Sequence, residues 1–271
     1  MTARGASQAD RADVRSNALT TVGVVAALPA ELRCLVHADA PVGATRTVNA
    51  RVLAQAGGIG AAAARRAAAS LIADGVGALV SWGFAAGLDP ALAAGTLIIS
   101  QQLEPALPAT PAAPDSGPWA ERLAARLHDR VPLLRGTIAC PNHVVRTAAE
   151  KRALGASGAV AADMESAAVA AAAAAAGIPW LALRVLVDTV DIIVPESVAV
   201  AIDAQGRFEM TRFLRAMIRH PMDLARLPAL SSAYRRAMRT LQTVARTAAE
   251  GLLFSASDSA AGGHASGGHA R

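Results

Sequence analysis

The residues in this chain that could do chemistry are mostly carboxylates next to apolar runs. Glu31 follows the run Val22–Leu28. Asp163 and Glu165 flank Met164 ahead of an alanine-rich stretch. Asp188 and Asp191 follow the run Trp180–Val187. A carboxyl group that is partly buried has a raised pKa and can donate or accept a proton near neutral pH. Two glycine-rich turns, Gly58-Ile59-Gly60 after Arg51–Ala56 and Gly83-Phe84-Ala85-Ala86-Gly87 after Ala78–Trp82, let backbone come close to a ligand. A third turn, Cys140-Pro141-Asn142-His143-Val144, follows Leu133–Ala139. Each group also has a plain structural reading. Asp163, Glu165, Asp188 and Asp191 can cap helices or turns. The glycines can serve helix–strand packing. Gly58-x-Gly60-x-x-Ala63 also fits a dinucleotide fingerprint, which keeps an oxidoreductase as a rival, although the acid expected about 20 residues on has only Asp74 to fill it.

The elements that position these groups read as alternating strands and helices. Continuous apolar runs are expected where both faces of a sheet are covered. They predict strands at Val22–Leu28, Arg51–Ala56, Ala78–Trp82, Leu97–Ser100, Leu133–Ala139 and Trp180–Val187. Helical patterns follow Gly60 to about Ala73, cover Trp119–Arg130 and Asp163–Ala176, and resume beyond Phe208. Acids belong in the first turn of the Asp163 helix, where the dipole favours them, and Gly177 with Pro179 ends it. This alternation predicts a three-layer α/β domain.

Composition narrows the class further. Of 271 residues 53% are apolar but only 3% aromatic, so the core must be built from Ala, Val, Leu and Ile, and a fully disordered chain is excluded. Cys34 and Cys140 can form neither a disulfide framework nor a four-cysteine zinc site, which fits a reducing compartment. No stretch has the ~20 uninterrupted apolar residues of a membrane span. The charge is +5 overall, but nine Arg against Glu209 and Asp223 give +7 between Arg207 and Arg246, leaving −2 for the remainder. Such a window is either an ordinary solvated face or a surface for phosphates, anionic lipid or nucleic acid. A nucleic-acid module is disfavoured by the lack of interleaved aromatics for base stacking. We expect a disordered arm at 1–20, an α/β body at 21–200, an Arg-rich helical extension at 201–255 and a disordered tail at 256–271, whose His264 and His269 make a poor metal site.

Five segments taken together resemble the purine nucleoside phosphorylase and nucleosidase superfamily. They are VGVVAALPAEL (22–32), AGGIGAAAA (56–64), VSWGFAAGLDPALAAGTLIIS (80–100), ADMESAAVA (162–170) and PWLALRVLVDTVD (179–191). The ALPAE turn, and the extension AIDAQGRFEMTRFLRAMIRHPMDLARLPAL after residue 200, resemble most the hopanoid-associated nucleoside phosphorylase branch. The resemblance implies a three-layer α/β/α sandwich around a mixed, partly distorted sheet, with the C-terminal extension added. It implies a homodimer or larger homo-oligomer that needs no cofactor or metal, with phosphate as a possible co-substrate. The implied reaction is cleavage of the adenine–ribose bond of adenosylhopane, leaving a ribosyl or phosphoribosyl hopanoid. A methylthioadenosine or adenosylhomocysteine nucleosidase is the alternative. The expected location is the cytoplasm, with peripheral contact of the Arg-rich helices with anionic membrane.

The resemblance also assigns roles. Asp188 matches the acid that protonates or hydrogen-bonds purine N7. Glu165 matches the carboxylate that holds the ribose 2′ and 3′ hydroxyls, and Met164 packs on the sugar. Asp163 stands where nucleosidases often carry another acid, and Asp191 matches a second acid in the Asp188 turn. Glu31 matches the acid that orients an attacking water. Phe84 and Ala85, with Gly58 and Gly60, line the site. Val144 occupies the position of a base-stacking aromatic beside His143. The Gly-Asp-Pro-x-Arg phosphate turn of phosphorylases is absent, Ala27-Leu28-Pro29 standing in its place. Glu31 would repel phosphate, so the residues favour water as acceptor while the branch implies phosphate.

Overall fold

The structure is a computed structural model. It describes residues 21–36, 39–105, 113–191, 209–220, 227–248 and 251–255, together with 197, 200, 201, 222, 223 and 258. The expected N-terminal arm and nearly all of the C-terminal tail, His264 and His269 included, lie outside the described residues.

Continuous apolar runs become the buried strands β1 (Val22–Ala26), β3 (Val52–Ala56), β4 (Ala78–Gly87), β5 (Leu97–Ser100) and β10 (Trp180–Asp188). Five shorter strands complete the set: β2 (Thr45–Asn49), β6 (Leu103–Glu104), β7 (Leu133–Arg135), β8 (Ile138–Ala139) and β9 (Ala161–Ala162). The main path runs β2-β3-β1-β4-β10-β5-β7. β3, β1, β4 and β10 are parallel; β2 and β5 run antiparallel to their neighbours β3 and β10. The sheet is therefore mixed. It is also distorted, because the far end of β4 leaves β1 and takes β9 as an antiparallel partner through Ala86 and Gly87. The predicted strand Leu133–Ala139 is broken in two by Gly136, whose added Cβ would lie 2.6 Å from Val160 Cγ2; its second half joins the β6–β8–β9 branch.

The helices are α1 (Pro29–Leu32), α2 (Ala61–Ala73), α3 (Gly117–Leu127), α4 (Ala148–Gly155), α5 (Ser166–Ala176), α6 (Met210–Arg219) and α7 (Leu227–Thr247). Two apolar cores lie on the two faces of the sheet. One takes Ala64, Ala67, Ala68 and Leu71 of α2 with Ala168, Val169, Ala170 and Ala173 of α5. These short side chains let the two helices lie close together against β1 and β4, because interhelix distance follows side-chain size. The other core holds Trp82, Trp119, Leu123 and Leu127 with Ala237, Leu241 and Val244 of α7. α7 thus belongs to the covering layer of the body, and Thr240 Oγ1 donates to Gly95 O at 2.8 Å. The segment 251–255 is fastened too. Trp119 Nε1 donates to Leu252 O (2.8 Å), its ring lies 5.0 Å from that of Phe254, and Arg51 donates to Phe254 O (2.6 Å).

Candidate active site

Glu31 sits in the short helix α1, started by Pro29. Its side chain turns back to cap its own helix: Oε2 accepts from Leu28 N (2.8 Å) while Oε1 accepts from Phe84 N (2.9 Å) at the end of β4. A Cβ on Gly83, whose φ is +139°, would fall 2.3 Å from Glu31 Oε1, so glycine there makes room for the carboxylate. Burial raises the Glu31 pKa to about 7, against the opposing pull of Arg184.

The expected helix Asp163–Ala176 begins three residues late, at Ser166. Asp163 Oδ1 accepts from the amides of Glu165 (2.9 Å) and Ser166 (2.8 Å), so the side chain captures the amides that a further helical turn would have left open. Asp163 therefore precedes the first turn as a cap, and Glu165 is freed from the helix surface. Glu165 Oε1 accepts from Gly60 N (2.8 Å), the amide at the start of α2, where the helix dipole favours negative charge. Burial pushes the Glu165 pKa up while Arg184 pulls it down.

Arg184 binds this cluster together. It lies in the middle of β10, fully buried, with Nε 2.8 Å from Asp163 Oδ2 and Nη2 3.4 Å from Glu165 Oε2. It also donates to Ser81 Oγ (2.7 Å) and Phe84 O (3.3 Å). Four residues on, the ladder between β10 and β4 slips by one residue between Leu186 and Asp188. A bulge of this kind re-aims the side chain beyond it. Asp188 is 2% exposed. Its Oδ2 accepts from Lys151 Nζ (2.7 Å) and its Oδ1 from Gly87 N (3.3 Å). Burial raises the Asp188 pKa despite Lys151 beside it.

Phe84, Ala85, His143, Val144, Asp163, Met164, Glu165 and Asp188 line one cavity of about 200 Å³, which collects most of the expected site residues. Three others sit outside its lining. Glu31 reaches it through Phe84 N, Gly60 through Glu165, and Gly58 lies in the same turn, bonded to Ala27 O at 3.0 Å. Val144 is 48% exposed and presents an aliphatic face where an aromatic was expected. His143 meets Glu150 at 3.1 Å, and Asp191 is exposed on the turn beyond β10. α7 also contributes: Tyr234 stands 5.4 Å from Phe84, ring to ring.

Sequence reasoning gave no role to two site cations, Arg184 and Lys151. An arginine inside an otherwise apolar strand must be paired if buried, and that signal was available. Lys151 lies on α4, an unpredicted helix announced by its capping box: Thr147 Oγ1 accepts from Glu150 N (3.1 Å) and Glu150 Oε2 from Thr147 N (3.2 Å). Among the described residues no group of three or more His, Cys, Asp or Glu could hold a metal ion, and no helix is long and apolar enough to cross a membrane.

The fold has many solved relatives at low identity. Methylthioadenosine nucleosidase of Helicobacter pylori, solved as a point mutant with 5′-methylthioadenosine in its active site, superposes at a TM-score of 0.56 and 20% identity, covering 74% of this chain and 99% of that one. Futalosine hydrolase of the same species gives 0.55 and 22%, covering 74% and 98%. The methylthioadenosine/adenosylhomocysteine nucleosidase of Colwellia psychrerythraea, solved with adenine, gives 0.55 and 18%, covering 88% and 95%. No curated protein matches the chain. At the family level the assignment is direct: the phosphorylase superfamily profile matches residues 21–219, and the chain belongs to that superfamily.

Proposed function

We propose that this protein cleaves the N-glycosidic bond of an adenine nucleoside. The reading is carried by one observation: two carboxyl groups whose pKa values are raised by burial, Glu165 and Asp188, line one cavity of about 200 Å³, and a third, Glu31, stands behind it, bonded to Phe84 N. The C1′–N9 bond breaks towards an oxocarbenium-like sugar, and its electron pair leaves with the base. Adenine departs well only when N7 takes a proton, which Asp188 supplies. Glu165 accepts hydrogen bonds from the ribose hydroxyls, and its charge stabilises the developing cation. Glu31 takes the proton of the attacking water.

Water is the acceptor we favour, since an acid stands where a phosphate turn would be and Arg184 is committed to Asp163 and Glu165. As the base, Glu31 must be ionised, so kcat/KM for hydrolysis rises with pH through about 7. Glu31→Gln is expected to lose that limb and to lower kcat by about 10²–10⁴-fold; an unchanged profile would assign the limb elsewhere. The same shift acts oppositely on stability. The folded chain keeps a proton that the unfolded chain releases from pH 4.5 upwards, so Glu31 costs the fold increasingly between 4.5 and about 7, by about 3 kcal/mol above that window.

Adenosylhopane is the substrate we favour. The cavity is smaller than the roughly 300–1,000 Å³ typical of pockets that enclose a drug-sized ligand, so base and ribose fill it and a long 5′ substituent must leave by the mouth. Phe84 and Val144 give that mouth apolar walls, and the Tyr234 ring stands behind Phe84 at 5.4 Å. α6 exposes Ile218 (82%) beside Arg212, Arg215 and Arg219, with Met222 (75%) just beyond, a combination suited to an anionic membrane surface. Each basic residue there is worth about 1 kcal/mol. Pelleting with phosphatidylglycerol vesicles should exceed pelleting with neutral vesicles and fall in Arg212→Ala/Arg215→Ala/Arg219→Ala; equal pelleting with both would remove the membrane role.

The test of function is adenine release from adenosylhopane and from methylthioadenosine, each with and without phosphate. Release from the hopanoid supports the full reading. Release from methylthioadenosine alone makes this a small-nucleoside nucleosidase. Phosphate dependence would demote Glu31, and no release from either would overturn the reading.

A further inference from the structure

Lys151 is the only lysine in the chain and is 0% exposed. A lone lysine in an Arg-rich protein, buried and aimed at the proposed acid, calls for an explanation beyond packing. Its Nζ lies 2.7 Å from Asp188 Oδ2 and 2.6 Å from Thr189 O. We infer that Lys151 is a positioning residue that also stores the proton delivered by Asp188. The inference rests on Asp188 being the acid at N7.

The chemistry demands a source for that proton. Purine N7 in a nucleoside is a bare acceptor, so an ionised carboxylate gives it nothing. An ammonium–carboxylate pair and an amine–carboxylic acid pair are both neutral overall, so neither leaves an uncompensated charge in the buried site. A proton therefore passes from Nζ to the Asp188 carboxylate, and from the carboxyl group to N7 as the C1′–N9 bond breaks. Turnover leaves a neutral lysine amine beside the Asp188 carboxylate, and solvent returns the proton after adenine departs. Lysine can serve here where arginine cannot, because the guanidinium does not give up its proton in proteins.

The other titratable groups around the pair are few and mostly engaged. Asp163 and Glu165 share Arg184. His143 lines the same cavity and pairs with Glu150, the half-buried neighbour of Lys151 on α4. Asp89, beyond β4, accepts from Ala91 N (2.8 Å), and Arg152 and Asp191 are exposed.

The experiment is the pH dependence of kcat for adenine release, in wild type, Lys151→Met and Lys151→Arg, with thermal unfolding of each as the check on folding. The substrate is whichever of adenosylhopane and methylthioadenosine the wild type cleaves. In the wild type Lys151 resupplies Asp188 with its proton, so kcat should hold through neutral pH. In Lys151→Met only Asp188 can hold the proton, so kcat should stay near wild type on the acid side and fall as pH rises. The alkaline limb then sits at least one pH unit lower than in wild type. Lys151→Arg keeps the charge but withholds the proton, and should lose about 10²-fold or more in kcat with little change in KM. A limb that moves to higher pH in Lys151→Met would show that Lys151 merely opposes protonation of Asp188, and would overturn the inference. A uniform loss at every pH, or full activity in Lys151→Arg, would overturn it as well. In each of these cases the reading of Asp188 survives. A wild type that releases adenine from neither substrate overturns both.

Discussion

Asp188→Asn is expected to lower kcat for adenine release by about 10²–10⁴-fold while the folded protein is still obtained. The amide cannot hand a proton to N7. It can still accept from Lys151 Nζ through its carbonyl oxygen, and Lys151 keeps its bond to Thr189 O. Lys151 loses its buried counter-charge but keeps two acceptors, so the structural cost is about 3 kcal/mol, the low end for breaking a buried ion pair. KM should change little, because the interaction lost belongs to the transition state. Single-turnover kinetics with calorimetry on the same sample separates the two effects. Activity within a few fold of wild type would remove Asp188 from the chemistry.

Arg184→Met should have the largest effect on stability of any single change considered. The guanidinium is enclosed by Asp163, Glu165, Ser81 and the Phe84 carbonyl. Removing it leaves two buried carboxylates without their cation, a loss of about 3–5 kcal/mol. That is a large part of the ~5–15 kcal/mol that holds a typical domain together. The midpoint of thermal unfolding should fall by about 6–20 °C at pH 7, from 2–4 °C per kcal/mol. The sign of the pH effect follows from the acids. Without Arg184, Glu165 and Glu31 ionise less readily in the folded state, so the deficit should shrink between pH 7 and pH 5. A midpoint within about 2 °C of wild type would show that the cluster is held by something other than this pair.

The contrast between what the sequence made legible and what it hid follows from side-chain environment. Strands β1, β4 and β10 were readable because each is a continuous apolar run, the mark of a strand covered on both faces. Strand β2 was not, since Thr45–Asn49 is half-exposed at an edge and carries Arg46 and Asn49 among its few residues. Asp163 and Glu165 were placed near a helix start correctly, but the residue separation alone could not say that Asp163 would take the capping amides and so release Glu165 towards Gly60. Lys151 was hidden differently. In AAEKRALG it reads as one more charge on a solvated helix, and only the packing of α4 against the end of β10 turns it inwards. The slip at the end of β10, which aims Asp188, leaves no mark in the sequence; it follows from pairing with β4.

The placement of the tryptophans has an optical consequence. The chain holds three, Trp82, Trp119 and Trp180, and all are buried. Trp82 donates its indole proton to the Glu31 carbonyl (2.9 Å), so its emission reads the surroundings of the proposed base. Trp119 is fastened to Leu252 and Phe254, so its emission reads whether the segment 251–255 is seated. A variant keeping only Trp82 would signal ionisation of Glu31 as a fluorescence change near pH 7. A variant keeping only Trp119 would shift its emission to the red when the chain is cut before Leu252. The two single-tryptophan variants would thus report the chemistry and the seating of residues 251–255 separately, with no label attached.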